Sequence, residues 1–99
     1  MNEVNFAGTL LYNYVMYFVY VLYSKLEKHF YIGFTKNLKK RLNQHLHKEV
    51  YSTKNILPKL IYFEGYINQD DALGREKFLK GGSGHKYLKK QLKNYLVGQ

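Results

Sequence analysis

Five residues of this 99-residue chain have types and spacing suited to cutting a phosphodiester: Tyr20, Tyr31, Arg41, His45 and Glu76. A phenol, a guanidinium, an imidazole and a lone carboxylate are enough for that reaction when one metal ion assists. Arg41 and His45 stand four apart, so on a helix they share one face. Glu76 stands i+4 from Ala72 and i+3 from Leu73, in a stretch whose inward stripe reads Ala72, Leu73, Leu79. A carboxylate on such a face costs several kcal/mol unless it is paired or holds a metal. Pairing with a buried arginine, or a place at the rim of the face, is the plain alternative.

The two tyrosines need more scrutiny, because eleven of the 99 residues are Tyr and any one can be a core aromatic. A free phenol titrates near ~10, so only about one in a thousand is ionised at neutral pH. A catalytic phenol therefore needs a cation to favour the phenolate, or a histidine to accept its proton. His47 points away from His45 on a helix, which argues against a metal pair there. His29 and His85 fall in turn-like stretches and read as surface residues.

The elements that must position these groups follow from the pattern. Tyr17 to Tyr23 is β-branched and aromatic throughout, apolar on both faces, and reads as a central strand. Phe30 to Thr35 is its antiparallel hairpin partner, with Gly33 permitting close approach of a backbone or ligand. Asn37 caps a helix over about 38–48, on which Leu38, Leu42 and Leu46 recur every four residues. A loop over 49–58 leads to a third strand, Leu60 to Tyr66. Asn68 caps a second helix that runs to about Lys80, with Asp70 and Asp71 in its first turn. The run Gly81-Gly82-Ser83-Gly84 ends it, and Ser83 caps a third helix over about 85–96. The order is β-β-α-β-α-α. Residues 1–15 read as an N-terminal extension ahead of a single domain over 16–96, and Met16 could be an alternative start.

Composition narrows the function. The formal net charge is +9, and it is uneven. Seven Lys or Arg lie between Arg75 and Lys93 against Glu76 alone, and six lie between Lys36 and Lys54 against Glu49. Discrete basic elements suit a polyanion. The candidates for contacts to it are Lys36, Lys40, Lys86, Lys89, Lys90 and Lys93, the last helix presenting most of its lysines on one face with Leu88, Leu92 and Tyr95 turned inward. Cysteine is absent, which excludes disulfides and Cys-zinc sites. The longest apolar stretch, 10–23, is too short and polar for a membrane span and lacks signal-peptide features. The chain reads as soluble, with no membrane partner, and cytoplasmic.

Taken together these residues resemble the GIY-YIG nuclease family. Its first signature appears as Val19-Tyr20-Val21, degenerate but with the tyrosine kept, and its second as Tyr31-Ile32-Gly33 in full. Tyr31 follows Tyr20 by eleven, Arg41 follows Tyr31 by ten and His45 follows Arg41 by four, all usual family spacings. Glu76 matches the family's metal-binding glutamate, and the short stand-alone bacterial branch is the nearest in form. Val19 departs from the first signature's glycine. The family's asparagine near the C-terminus has no clean counterpart, and Asn94 is the candidate.

The resemblance implies a compact α/β (α+β) domain with a three-stranded antiparallel sheet and flanking helices. It implies an endonuclease that hydrolyses DNA with one Mg²⁺ or Mn²⁺ held by Glu76, a role in DNA repair being the expected setting. In that scheme Tyr31 activates the water with His45 relaying its proton, Tyr20 positions the water or phosphate, and Arg41 stabilises the phosphorane. Without a second targeting domain, weak specificity or a protein partner is expected. The rival is a non-catalytic DNA- or RNA-binding module, clamping phosphates and stacking tyrosines on bases.

Overall fold

The computed structural model describes residues 15–50 and 58–99, with the backbone alone for 45–50. The chain runs β1 (Tyr17–Ser24), β2 (His29–Thr35), α1 (Leu38–Val50), β3 (Lys59–Tyr66), α2 (Gln69–Lys80), α3 (Gly82–Gln91) and α4 (Lys93–Val97). The strands form one antiparallel sheet in the order β2-β1-β3. β1 is central because it is apolar on both faces, and alternation sends its residues into two separate cores.

On one face Val19 and Val21 are fully buried with Ala72 and Leu79 of α2 and Leu88 of α3. On the other, Phe18, Tyr20 and Leu22 close over Leu38 of α1. The sheet therefore stands between α1 and the α2–α3 pair. A register shift between Val21 and Leu22 lets both Ile61 and Tyr62 of β3 turn toward the α2 side. Each fully buried aliphatic contributes about 1.5–3 kcal/mol, so both layers matter to a domain this small.

Local chemistry sets the helix ends. Asn37 Oδ1 accepts from Lys40 N at 3.0 Å, and Asn68 Oδ1 accepts from Asp70 N at 2.8 Å and Asp71 N at 3.2 Å. Both expected caps are present.

The C-terminal region departs from expectation. Gly81 ends α2 as expected, but the rest of the run lies inside α3 and Ser83 does not cap a helix. α3 starts at Gly82 behind Gly81, with no side-chain cap. The reason is close packing: a Cβ on Gly84 would stand 2.1 Å from the Phe78 carbonyl oxygen, so α3 can fold back onto the end of α2 only with glycine there. The expected helix over 85–96 is two helices, broken at Leu92 (φ −107°, ψ 23°). Two inward residues also differ. Leu73 is 38% exposed, since Arg75 and Glu76 share the inner side of α2 with Ala72 and Leu79, and Tyr95 is 37% exposed although its ring meets Tyr23 edge-on. No helix among the described residues is long and apolar enough to cross a membrane.

Candidate functional site

The register places Tyr20 directly opposite Gly33. Its ring lies across β2 at that point, so closely that a Cβ on Gly33 would stand 2.2 Å from both Cζ and Oη. Glycine at 33 thus gives the phenol a path over the strand. At its far end the Tyr20 hydroxyl accepts from Arg41 Nε at 2.9 Å, joining β1 to α1. Arg41 Nη1 donates to Gln44 Oε1 at 3.2 Å, which fixes the guanidinium along its helix. Two of the five sequence-derived residues therefore meet, from positions 21 apart.

Beside them lies a pocket of about 330 Å³ lined by Phe34, Thr35, Lys36, Asn37, Lys40, Arg41 and Gln44. Among the described residues three cations and no acid line it, which suits a phosphate. Thr35 and Asn37 hold its floor through a mutual pair of hydrogen bonds, both 3.1 Å.

Tyr31 shares the sheet face of Tyr20 and Gly33, but its hydroxyl donates to Glu27 Oε1 in the turn between β1 and β2. That bond, with burial and the carboxylate's charge behind it, pushes the phenol above its ordinary value. Tyr31 is thus set against forming a phenolate. The partner is neither the cation nor the histidine that the sequence suggested, and it lies only four residues back across the hairpin. His45 lies on α1 one turn beyond Arg41, with its side chain outside the described residues.

Glu76 is placed differently. α2 covers the sheet face opposite to α1, chiefly over β2 and β1. The Glu76 side chain is 19% exposed and pairs with Lys80 at 3.2 Å on its own helix. Among the described residues no group of three or more His, Cys, Asp or Glu gathers to hold a metal. Of the remaining basic candidates, Lys86, Lys89 and Lys90 are exposed on α3, while Lys93 and Asn94 are exposed on α4 beyond the break.

A second polar cluster went unread in the sequence. Glu64 of β3 accepts from Arg75 Nε (2.9 Å) and Nη2 (3.0 Å) and from the hydroxyls of Tyr62 and Tyr66 (both 2.6 Å). Arg75 in turn lies over the Tyr87 ring at 4.6 Å and near Phe78 at 5.3 Å. Burial alone would push the Glu64 carboxyl up, but the bonds from Arg75, Tyr62 and Tyr66 outweigh it and hold it below the carboxylate range. The Tyr66 phenol is pushed up to about 12 by burial and by Glu64. Every acceptor site is used within the fold, so this cluster clamps α2 and α3 to β3. The signal was there: Tyr62, Glu64 and Tyr66 alternate on one strand face.

Comparison with known families matches residues 16–92 to one described as the GIY-YIG catalytic domain. A UPF0213 protein of Limosilactobacillus reuteri (strain DSM 20016) is 38% identical over 68 residues, covering 65% of this chain and 70% of that protein. No solved structure matches.

Proposed function

The chain belongs to the GIY-YIG nuclease family, and from that premise we propose that it is an endonuclease hydrolysing DNA phosphodiester bonds with one divalent cation, Mg²⁺ or Mn²⁺. The observation that carries the reading is the Arg41–Tyr20 hydrogen bond, 2.9 Å, beside a pocket lined by Lys36, Lys40 and Arg41. Arg41 spends Nε on Tyr20 and one Nη1 proton on Gln44, and in this reading its remaining N–H donors serve phosphate oxygens. A guanidinium fixed in this way stabilises charge as it grows on phosphorus, without having to reorganise.

Tyr20, held by Arg41, orients the attacked phosphate or the water. Tyr31 takes the water's proton, with His45 assisting. Lys36 and Lys40 bind phosphates beside the scissile one. Lys86, Lys89, Lys90, Lys93 and Asn94 extend the contact along the strand. Glu76 fits as the metal ligand: it is a half-buried carboxylate whose partner is an exposed lysine that a cation can displace. Mg²⁺ is commonly held through one or two carboxylates, water and substrate phosphates, so one Glu suffices. When bound, the cation supplies stabilisation of the charge on the leaving 3′ oxygen. Residues 16–96 form the catalytic unit, with 1–15 as an extension, and a protein partner would supply targeting. The enzyme would act in the cytoplasm.

The test is a panel of labelled duplex, branched and single-stranded DNA incubated with Mg²⁺, run beside Glu76→Ala. Metal-dependent cleavage by the wild type and none by the variant, with thermal stability and DNA affinity kept, is the expected outcome. The pairing of Glu76 with Lys80 favours the rival, a non-catalytic DNA- or RNA-binding module. Tight binding without cleavage of any substrate would establish that rival instead.

A further inference from the structure

We propose that Glu27 is the terminal proton acceptor of the cleavage reaction and acts through Tyr31. The inference rests on the nuclease reading above and deepens it. Glu27 has no part in the family signature and no place among the residues singled out in the sequence.

The geometry is specific. The Tyr31 hydroxyl donates to Glu27 Oε1. Glu27 is not on a loose loop: its backbone N–H donates to Ser24 Oγ at 3.0 Å, and Ser24 is fully buried at the end of β1. Lys28 closes the turn in the left-handed region at φ 53° and sets the register that returns β2 beside β1. The Tyr31 ring is braced edge-on by His29, centroids 4.8 Å apart. His29 is braced in turn by His85 of α3 at 5.8 Å. Tyr31 also lies on the sheet face of Gly33 and Tyr20, the face that carries Arg41.

This arrangement determines how the proton moves. A phenol beside a carboxylate does not ionise in advance. It can accept a proton only while giving one up. As the water oxygen bonds to phosphorus, its O–H bond breaks and that proton goes to the Tyr31 oxygen. The phenol's own proton passes to Glu27 Oε1, and the 3′ oxygen leaves with the electron pair of the broken P–O bond. Tyr31 ends as it began, and Glu27 ends as a neutral acid. Glu27 is exposed, so solvent resets it. Among the described residues the titratable groups nearest this pair in the fold are His29, edge-on to Tyr31, and His85 of α3, which packs on His29, with Lys25 and Lys28 flanking Glu27 along the turn.

The experiment compares wild type with Glu27→Gln, Glu27→Asp and Tyr31→Phe. The first readout is independent of activity: the Tyr31 phenol is titrated by ¹³C NMR of tyrosine-labelled protein, with its resonance assigned from Tyr31→Phe. Glu27→Gln should bring that titration down toward its ordinary value near 10. The second is single-turnover cleavage at saturating DNA across pH. Glu27→Gln should slow it about 100-fold, the lower end of general-base effects, and change the shape of the pH–rate profile. KM should stay unchanged, and Glu27→Asp should recover part of the rate. Adding Tyr31→Phe to Glu27→Gln should cost little more, since both break one chain. Wild-type rate and pH profile in Glu27→Gln, an unmoved phenol titration, or a loss confined to KM would each overturn the proposal. Cleavage by the wild type with an indifferent Glu27→Gln refutes this inference alone, whereas a wild type that cleaves nothing refutes the nuclease reading and this inference with it.

Discussion

Gly33→Ala should separate the site from the scaffold, because the structure fixes what the added methyl meets. The new Cβ would stand 2.2 Å from Tyr20 Cζ and Oη. Carbon atoms rest at about 3.5 Å or more, so the ring end must move by roughly 1.3 Å. The phenol's tip lies about 6.5 Å from its Cα, so a swing of about 12° is enough, well inside one rotamer well. The cost in folding is therefore modest: mild overpacking of about 1–3 kcal/mol. The hydrogen bond to Arg41 fares worse. Starting from 2.9 Å, such a shift takes it out of bonding range. A displacement of about 1 Å at a catalytic group costs on the order of 100-fold in rate. The assay is single-turnover cleavage alongside urea unfolding, in a cycle with Tyr20→Phe. The Gly33→Ala rate penalty should nearly vanish in the Tyr20→Phe background, because the contact it disrupts is already gone. A full, additive penalty in that background would refute the reasoning, as would wild-type turnover in the single variant.

Three further outcomes follow from the same geometry. Arg41→Lys keeps the charge, but one ammonium cannot hold both the Tyr20 hydroxyl and a phosphate fork. Single-turnover cleavage should fall by about 100-fold or more, and an unchanged rate would reduce Arg41 to general electrostatics. Lys86, Lys89 and Lys90 share a face of α3 ahead of the break at Leu92. Replacing all three by Gln should flatten the slope of log affinity against log salt on duplex DNA by up to about 2.7 units, at roughly 0.9 per phosphate contact. An unaltered slope would move the DNA path to the helix carrying Lys40 and Arg41. Glu64 is held below its ordinary value of 4.5, so the stability from its pairing is full above that pH and is lost as pH falls through the lower folded value. Glu64→Gln should therefore cost on the order of 3 kcal/mol at neutral pH and flatten the acid limb of stability measured by urea midpoints. A wild-type midpoint would show that the clamp is idle.

How legible all this was in the sequence depended on the range of the interaction. The strands were legible because β1 is apolar on both faces and cannot be an exposed edge. The Asn37 and Asn68 caps were legible because capping is decided within four residues. The Glu64–Arg75 clamp was not, since its partners lie eleven apart on different elements. Gly84 misled for the same reason: its value lies in contact with the Phe78 carbonyl, and locally it reads as loop. Leu73 misled because a partly buried ion pair took the inner position that apolarity would assign to leucine. Tyr31 was placed in the right strand, but which group would hold its hydroxyl depends on how the hairpin turn folds back.

The sheet imposes one further constraint on the chemistry. Arg41 and Glu76 belong to helices on opposite faces, and a three-stranded sheet gives no passage through its middle. One phosphate can engage both only around an edge. β3 is excluded, because Glu64, Tyr62 and Tyr66 tie it to Arg75. Among the described residues β2 is the edge that no such tie closes, and α2 packs over it. Phe34 bears on the same point. Its ring packs with the α2-side core, yet it lines the pocket of Lys36, Lys40 and Arg41. The pocket therefore opens where the two faces meet at the end of β2. Phe34→Ala would enlarge it from the α2 side without touching Arg41 or Glu76, and would cost about 3–5 kcal/mol if Phe34 were fully packed. Its half-buried position reduces that figure. If the scissile phosphate sits around this edge, Phe34→Ala should lower the single-turnover rate at saturating DNA while affinity and salt slope stay close to wild type. A loss confined to affinity would instead put the phosphate on the α1 face alone, and would leave Glu76 without a route to it.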